Sequence, residues 1–229
     1  MAMAGRSDVE EAVERVKDAV KPRLRGWLHA GTFPVAVVAG IVLVAVSPTE
    51  RARIATAVFS LTAALLFGVS AAYHRFTWSP RAQRVLMRLD HSNIFLIIAG
   101  TYTPFGALLL PSHHGRTLLW IVWVGALLGV LFRVFWTDAP RWLYTPVYIA
   151  LGWVAVFFLP EILHHGGVAV LVLLIVGGAL YSVGGLIYAA RRPDPSPRWF
   201  GFHEVFHACT LAAFVIHYVA VSMVAYTSS

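Results

Sequence analysis

The run FHEVFHACTLAAFVIHYVAVSMVAY, residues 202–226, is both an apolar span and the carrier of two closely spaced histidines. It exceeds the length of about 20 residues that a helix needs to cross the hydrocarbon core of a bilayer. On that helix His203 and His207 lie on one face, separated by about 6 Å of rise. This spacing suits two ligands of one metal ion and predicts that a third ligand comes from elsewhere in the chain.

The composition places the chain among integral membrane proteins. Of its 229 residues, 59% are hydrophobic and 13% are charged, and the mean hydropathy of +0.72 lies outside the range of soluble globular domains. We interpret the net charge of +7 as loop residues that set membrane orientation, and we expect no nucleic-acid partner. The single cysteine, Cys209, excludes an intramolecular disulfide. The N-terminus carries no signal-peptide pattern, so we expect the first apolar segment to remain in the mature protein.

The hydropathy pattern predicts an all-α integral membrane fold, a seven-transmembrane helix bundle. The seven apolar segments are placed at residues 27–47, 52–74, 92–110, 117–137, 141–160, 168–190 and 202–226. Residues 27–229 therefore form the transmembrane domain, and residues 1–26 form a cytoplasmic N-terminal region. Within that region, residues 7–21 have the capping box and apolar stripe of an amphipathic helix that lies outside the bilayer.

The distribution of basic residues predicts the orientation of the bundle. If seven crossings alternate, fifteen arginines and lysines fall on one face and only Arg51, Arg53 and Arg116 fall on the other. Basic residues concentrate on the cytoplasmic side of membrane proteins. We therefore expect the N-terminus in the cytoplasm and the C-terminus outside. With six or eight helices the basic residues would no longer concentrate on one face, so the charges also favour seven helices.

The same topology brings metal-competent side chains to one level of the membrane. His74 ends the second segment and Asp90 opens the third, so both are expected at the cytoplasmic boundary, beside His203 and His207. Ionisable groups at that depth are costly unless they are paired or coordinated, which makes them functional candidates. We predict that His74, His203 and His207 bind Zn²⁺ and leave a fourth position for water, which Asp90 contacts. Ser70, one turn before His74, is predicted to assist at the same site.

Each of these residues also has a structural interpretation. A lone histidine such as His74 at a helix end more often makes hydrogen bonds than binds metal. Asp90 has two alternatives, pairing with Arg88 or capping the third helix. Ser70 has the alternative of bonding the backbone of its own helix.

The motif HEVFH also matches the HExxH pattern of zinc proteases, with Glu204 as the general base. The context disagrees with that interpretation. The longer pattern of one protease class requires a histidine where this chain has Ala213, and no acid follows His207. A protease with an upstream third ligand is the alternative that stays open.

Other polar and small residues have secondary roles in this scheme. His217 lies about 21 Å along the helix from His203, too far to share its metal, and is expected to line the bundle cavity or to bond a neighbouring helix. His29, at the start of the first segment, is a candidate for supporting the metal ligands. Gly125 and Gly129 are expected to allow close helix packing inside the bundle, with a homo-oligomer contact as the alternative.

Three motifs resemble the hemolysin III branch of the progestin and adiponectin receptor family. These are SAAYH at 70–74, RLDHSNIFLIIAGTYTPF at 88–105 and HEVFHACTLAAFVIHY at 203–218. The resemblance implies seven transmembrane helices, a cytoplasmic N-terminus and an intramembrane zinc ion near the cytoplasmic side. It assigns three zinc ligands, an aspartate and a serine to the residues named above: His74, His203, His207, Asp90 and Ser70.

The resemblance also implies a function. The wider superfamily is similar to alkaline ceramidases, which suggests that the chain hydrolyses a lipid amide or ester and contributes to membrane-lipid homeostasis. Its compact loops look bacterial, so we expect the bacterial inner membrane as its location and a membrane lipid as its partner. The alternatives are a lipid or membrane-state sensor with structural zinc, and a cytolytic pore. A pore is less favoured, because the ionisable residues cluster at one site.

Overall fold

A computed structural model describes residues 22–228, and these residues are almost entirely helical. The predicted amphipathic helix over residues 7–21 lies outside the described residues. In order along the chain, the α-helices are α1 (Trp27–Val46), α2 (Glu50–Arg75), α3 (Pro80–Pro104), α4 (Ser112–Phe135), α5 (Arg141–Gly152), α6 (Leu159–Ala190) and α7 (Phe202–Tyr226). A π-helical turn, Phe105–Leu109, extends α3, and a 3₁₀ turn, Val154–Phe158, joins α5 to α6.

Six stretches of the described chain are long and apolar enough to cross a membrane. Five of them coincide with α1, α2, α3 with its π turn, α4 and α7, and the sixth is the 50-residue stretch Arg141–Ala190, which contains α5 and α6. The predicted all-α membrane fold is therefore confirmed. The protein is a multi-pass integral membrane protein.

Helix α3 begins earlier than predicted. The basic run before residue 92 was expected to be a loop, but Pro80 occupies the first turn of α3 and the Ser79 side chain accepts a hydrogen bond from the Ala82 backbone at 3.4 Å. A serine cap followed by proline is a strong start signal for a helix. Asp90 consequently lies well inside α3, and its interpretation as a helix cap is wrong.

The loop predicted at residues 161–167 is mostly helical. Helix α6 begins at Leu159, and its one interruption is Gly167, whose φ of 72° and ψ of 177° are not helical. This positive φ is open to glycine at little steric cost. The helix is therefore interrupted at a single residue, and the predicted loop is not formed.

Helix α7 lies against several others, since it contacts α1, α2, α3 and α6. In the core, the Phe214 ring of α7 packs edge-on against Phe67 of α2 at 5.0 Å between centroids. The glycines of α4 pack inside the bundle as predicted, because a Cβ at Gly129 would meet the Phe95 ring and one at Gly125 would meet Leu151. The homo-oligomer alternative stays a prediction.

Close approach of α2 and α3 at Gly100 gives a test of this packing. A Cβ at Gly100 would overlap the Thr62 side chain, whereas one at Gly31 in α1 has nothing within 4 Å. We expect Gly100→Ala to lower the free energy of unfolding by about 1–3 kcal/mol through overpacking. The matched control Gly31→Ala should be neutral or stabilising, by up to about 1 kcal/mol. Thermal unfolding of the purified protein measures both, and equal stability of the Gly100→Ala variant and wild type would contradict the packing.

Candidate metal centre

Three buried histidines from two helices converge at one end of the bundle. His74 comes from the last turn of α2, and His203 and His207 come from the first turns of α7. One ring nitrogen from each lies within 4.8 Å of the other two, and Nε2 of His74 is 3.2 Å from Nε2 of His203. Nitrogens bound to one tetrahedral zinc ion at 2.0–2.1 Å are roughly 3.3 Å apart. The three side chains can therefore hold a metal ion with small adjustments.

The start of α7 is held in place by polar contacts to its backbone and to Glu204. Glu204 Oε2 accepts a hydrogen bond from the Gly201 backbone at 2.8 Å, and Glu204 Oε1 pairs with Nε of Arg25. Asp194 Oδ1 accepts from the Phe202 backbone at 2.8 Å. These bonds satisfy orphan amides of the first turn. They position the first turns of α7, from which the side chains of His203 and His207 extend.

Both carboxylate oxygens of Glu204 are engaged in these contacts. The side chain is only 1% exposed, and Glu204 is absent from the wall of the cavity described below. A protease of the HExxH type needs this glutamate free beside the metal to act on water. The arrangement therefore disfavours the protease interpretation and gives Glu204 a structural role.

Asp90 approaches the histidines from α3. Its Oδ2 lies 3.7 Å from Nε2 of His74. Pairing with Arg88, the alternative weighed from sequence, does not occur, because Nε of Arg88 donates to the Thr137 hydroxyl at 2.8 Å. Among the described residues Asp90 has no arginine or lysine partner. The carboxylate can therefore accept a hydrogen bond or a proton beside the cluster.

Ser70 lies one turn before His74 on α2. It is buried, at 2% exposure, and it lines the same cavity as Asp90. Within the described part of the chain, its hydroxyl makes no bond to the backbone of α2, unlike the hydroxyls of Thr56 and Thr62 on the same helix. The hydroxyl can thus form a hydrogen bond with a molecule in the cavity.

A fourth histidine packs directly on the cluster. The His29 ring of α1 stacks on the His207 ring, with centroids 3.8 Å apart and an interplanar angle of 13°, and meets Phe67 edge-on at 5.1 Å. The start of α1 is held against the cluster, because Gly26 has a φ of 79° and a Cβ there would overlap the side chain of His74. The suggested support of the metal ligands by His29 thus takes the form of a ring stack.

Sequence reasoning missed two contributors to this region. Arg25 was counted only as an orienting charge, although it pairs with the buried Glu204. His91 was not considered, although its Nε2 lies 3.4 Å from the Tyr188 hydroxyl and it lines the cavity. The opposite charges of Arg25 and Glu204 were the sequence signal for the ion pair. The position of His91 next to Asp90 was the signal for its place in the cavity wall.

A cavity of about 140 Å³ opens from the cluster into the bundle. Its volume corresponds to roughly ten water molecules. Ser70, Asp90, His203 and His207 line one end and His217 the other, and most of the wall between them is apolar. The prediction that His217 lines the cavity is confirmed. The site thus combines a buried cluster of metal-competent groups with an apolar chamber.

Metal content tests the cluster directly. We expect His74→Ala and His207→Ala each to reduce bound metal to less than about a tenth of the wild-type amount, because three imidazoles are the minimum set for a tight site of this kind. The control is His164→Ala, since His164 is exposed and lies away from the cluster. Elemental analysis of the purified proteins gives the stoichiometry. Wild-type metal content in both cluster variants would contradict the assignment.

Comparison with known proteins agrees with the motifs. The chain is similar to Hemolysin-3 of Bacillus cereus, with 32% identity over 185 residues that cover 78% of this chain and 83% of that protein. It is also similar to the Hemolysin-3 homolog of Bacillus subtilis, with 36% identity over 146 residues, 63% of this chain and 68% of that one. The Adiponectin receptor protein of Drosophila melanogaster is 29% identical over 197 residues, 76% of this chain and 43% of the receptor. The Haemolysin-III related family matches residues 17–218, which include every residue of the cluster. The family resemblance predicted from three motifs is thus confirmed, and the chain belongs to the Haemolysin-III related family.

Proposed function

We propose that this protein is a zinc-dependent hydrolase that cleaves an amide or ester bond of a membrane lipid. The observation that carries the proposal is the position of the three buried histidines and Asp90 at one end of a largely apolar cavity. Catalytic zinc sites keep three protein ligands and one open position, and an apolar cavity suits an acyl chain. The cluster offers three nitrogens, and the cavity adjoins it.

In this proposal His74, His203 and His207 hold the ion as neutral imidazoles. When bound, zinc supplies Lewis acidity toward an acyl carbonyl and makes its water more acidic. The remaining chemistry belongs to the chain. Asp90 accepts a proton at a carboxylate oxygen and passes it to the leaving amine or alcohol. The Ser70 hydroxyl donates a hydrogen bond to the water or to the oxyanion that develops at the carbonyl.

The proposal includes seven membrane crossings with the N-terminus in the cytoplasm. The stretch Arg141–Ala190 has 50 residues, which as one helix would extend about 75 Å, whereas the hydrocarbon core is about 30 Å thick. Its breaks at Val154–Phe158 and at Gly167 allow two crossings. The bias of fifteen basic residues against three supports the orientation. In the plasma membrane of a bacterium, the histidines would then lie near the inner leaflet.

The second candidate function is a membrane-lipid sensor in which zinc is structural. The contacts that favour it are those that tie α1, α2 and α7 together at the cluster, namely the Arg25–Glu204 pair and the His29–His207 stack. A metal ion bound there would add a further link between these helices. The third candidate, a cytolytic pore, is supported by the names of the two bacterial relatives, and it predicts a conductance that survives loss of all three histidines.

Asp90 separates the hydrolase from the sensor. We expect Asp90→Asn to keep the metal and the fold but to lower the turnover of lipid amide or ester by about 10²–10⁴, since it removes the proton acceptor. The matched control is Asp138→Asn, because Asp138 is exposed in the α4–α5 connection. Lipid profiling by mass spectrometry, after membranes are incubated with each purified protein, measures the turnover. Wild-type turnover in Asp90→Asn would refute its assigned role, and no turnover by the wild type in any lipid extract would refute the hydrolase.

A further inference from the structure

The far end of the cavity carries polar atoms that the proposed hydrolysis does not use. His217 of α7 and Tyr181 of α6 both line this end, with their ring centroids 5.6 Å apart. Nδ1 of His217 and the hydroxyl of Tyr181 are buried, and neither has a hydrogen-bond partner among the described residues. We call this pair the distal polar pair.

The protonation of the His217 ring follows from its one hydrogen bond. Nε2 lies 3.3 Å from the backbone carbonyl of Leu174, and a carbonyl oxygen only accepts. In a neutral imidazole the nitrogen on that side therefore carries the hydrogen, and Nδ1 is left as an acceptor. The Tyr181 hydroxyl can donate as well as accept.

The packing of α6 against α7 determines the position of the His217 ring. A Cβ at Gly177 would overlap the His217 ring, so the glycine of α6 leaves the space that the ring fills. The imidazole itself is 7% exposed. Leaving a buried polar group without a partner is destabilising. Two such groups side by side in a cavity wall indicate a ligand group that satisfies both.

The chemistry of that group can be stated. It must donate a hydrogen bond to Nδ1 of His217 and either accept one from the Tyr181 hydroxyl or donate one to it. An alcohol does both through a single oxygen, whereas a carbonyl only accepts and a methylene does neither. The match is therefore to a hydroxyl group.

The distance along α7 from the histidine cluster to His217 gives the position that the hydroxyl group must have on the ligand. His217 is ten residues beyond His207 on one continuous helix, which is about 15 Å. That length is about half of the roughly 30 Å hydrocarbon core, the depth of one leaflet. An acyl chain whose carbonyl lies at the histidine cluster therefore reaches the distal polar pair with its distal half.

We propose that the distal polar pair recognises a hydroxyl group on the distal half of an acyl chain, so that the ligand class is a hydroxylated fatty acyl lipid. The proposal rests on the proposed function for the placement of the acyl carbonyl at the histidine cluster. The selectivity itself is a binding property and requires neither metal nor turnover.

Two fatty acids that differ by one hydroxyl test this selectivity. Ricinoleic acid is oleic acid with a hydroxyl in its distal half. We expect the purified protein in lipid nanodiscs to bind ricinoleic acid about tenfold more tightly than oleic acid, the effect of about one net hydrogen bond to a buried partner. Competition against a fluorescent fatty acid gives both affinities. The hydrolase-deficient variant Asp90→Asn should keep the same ratio, so loss of turnover and loss of selectivity are separate outcomes.

Two variants locate the selectivity at the distal polar pair. Tyr181→Phe removes only the hydroxyl. His217→Leu removes the acceptor at Nδ1 without introducing another. Both should bring the affinity ratio close to one with oleic acid binding unchanged, and the control Tyr226→Phe, at an exposed tyrosine, should leave the ratio at about tenfold.

Two results would overturn the proposal. Equal affinity of the wild type for the two acids would mean that ordered water alone satisfies the distal polar pair. A tenfold preference that survives in both folded variants would place the hydroxyl elsewhere in the cavity. Either result leaves the hydrolase proposal intact if lipid turnover by the wild type persists.

Discussion

Three imidazoles are buried against one another where the end of α2 meets the start of α7. Apart from the 3.2 Å contact between His74 and His203 and the approach of Asp90 to His74 at 3.7 Å, no described side chain gives these rings a hydrogen-bond or ion-pair partner. Buried polar groups in that condition are destabilising unless something coordinates them. A metal ion removes the penalty for all three at once, and it joins α2 to α7, whose sequence positions are far apart.

Contacts from the α1 region hold the start of α7, and with it two of these rings, in place. Arg25 forms an ion pair with the buried Glu204 and so ties the start of α7 to the segment before α1, and His29 stacks on His207. Removal of Arg25 would leave the buried Glu204 carboxylate without its partner, which is destabilising. The candidate metal site is thus supported by α1, a helix that contributes no predicted ligand. Asp90 and Ser70 line the cavity beside the cluster.

Much of this arrangement could be predicted from sequence, for physical reasons. Helical spacing put His203 and His207 on one face, and alternating topology put His74 and Asp90 at their level, since membrane thickness restricts where helix ends lie. The extension of α3 to Pro80 was missed, because basic residues suggested a loop where Ser79 and Pro80 start a helix. The Arg25–Glu204 pair and the His29 stack depend on how α1 approaches α7. Hydropathy and periodicity carry no information about that approach.

X-ray absorption spectroscopy at the zinc edge on the purified wild-type protein shows whether the three histidines hold one zinc ion. One ion held by His74, His203 and His207 with an open position predicts three nitrogen scatterers and one oxygen scatterer at about 2.0–2.1 Å, with the outer-shell pattern of imidazole rings. Fewer than three imidazoles, or a first shell filled by four protein ligands, would contradict the claim.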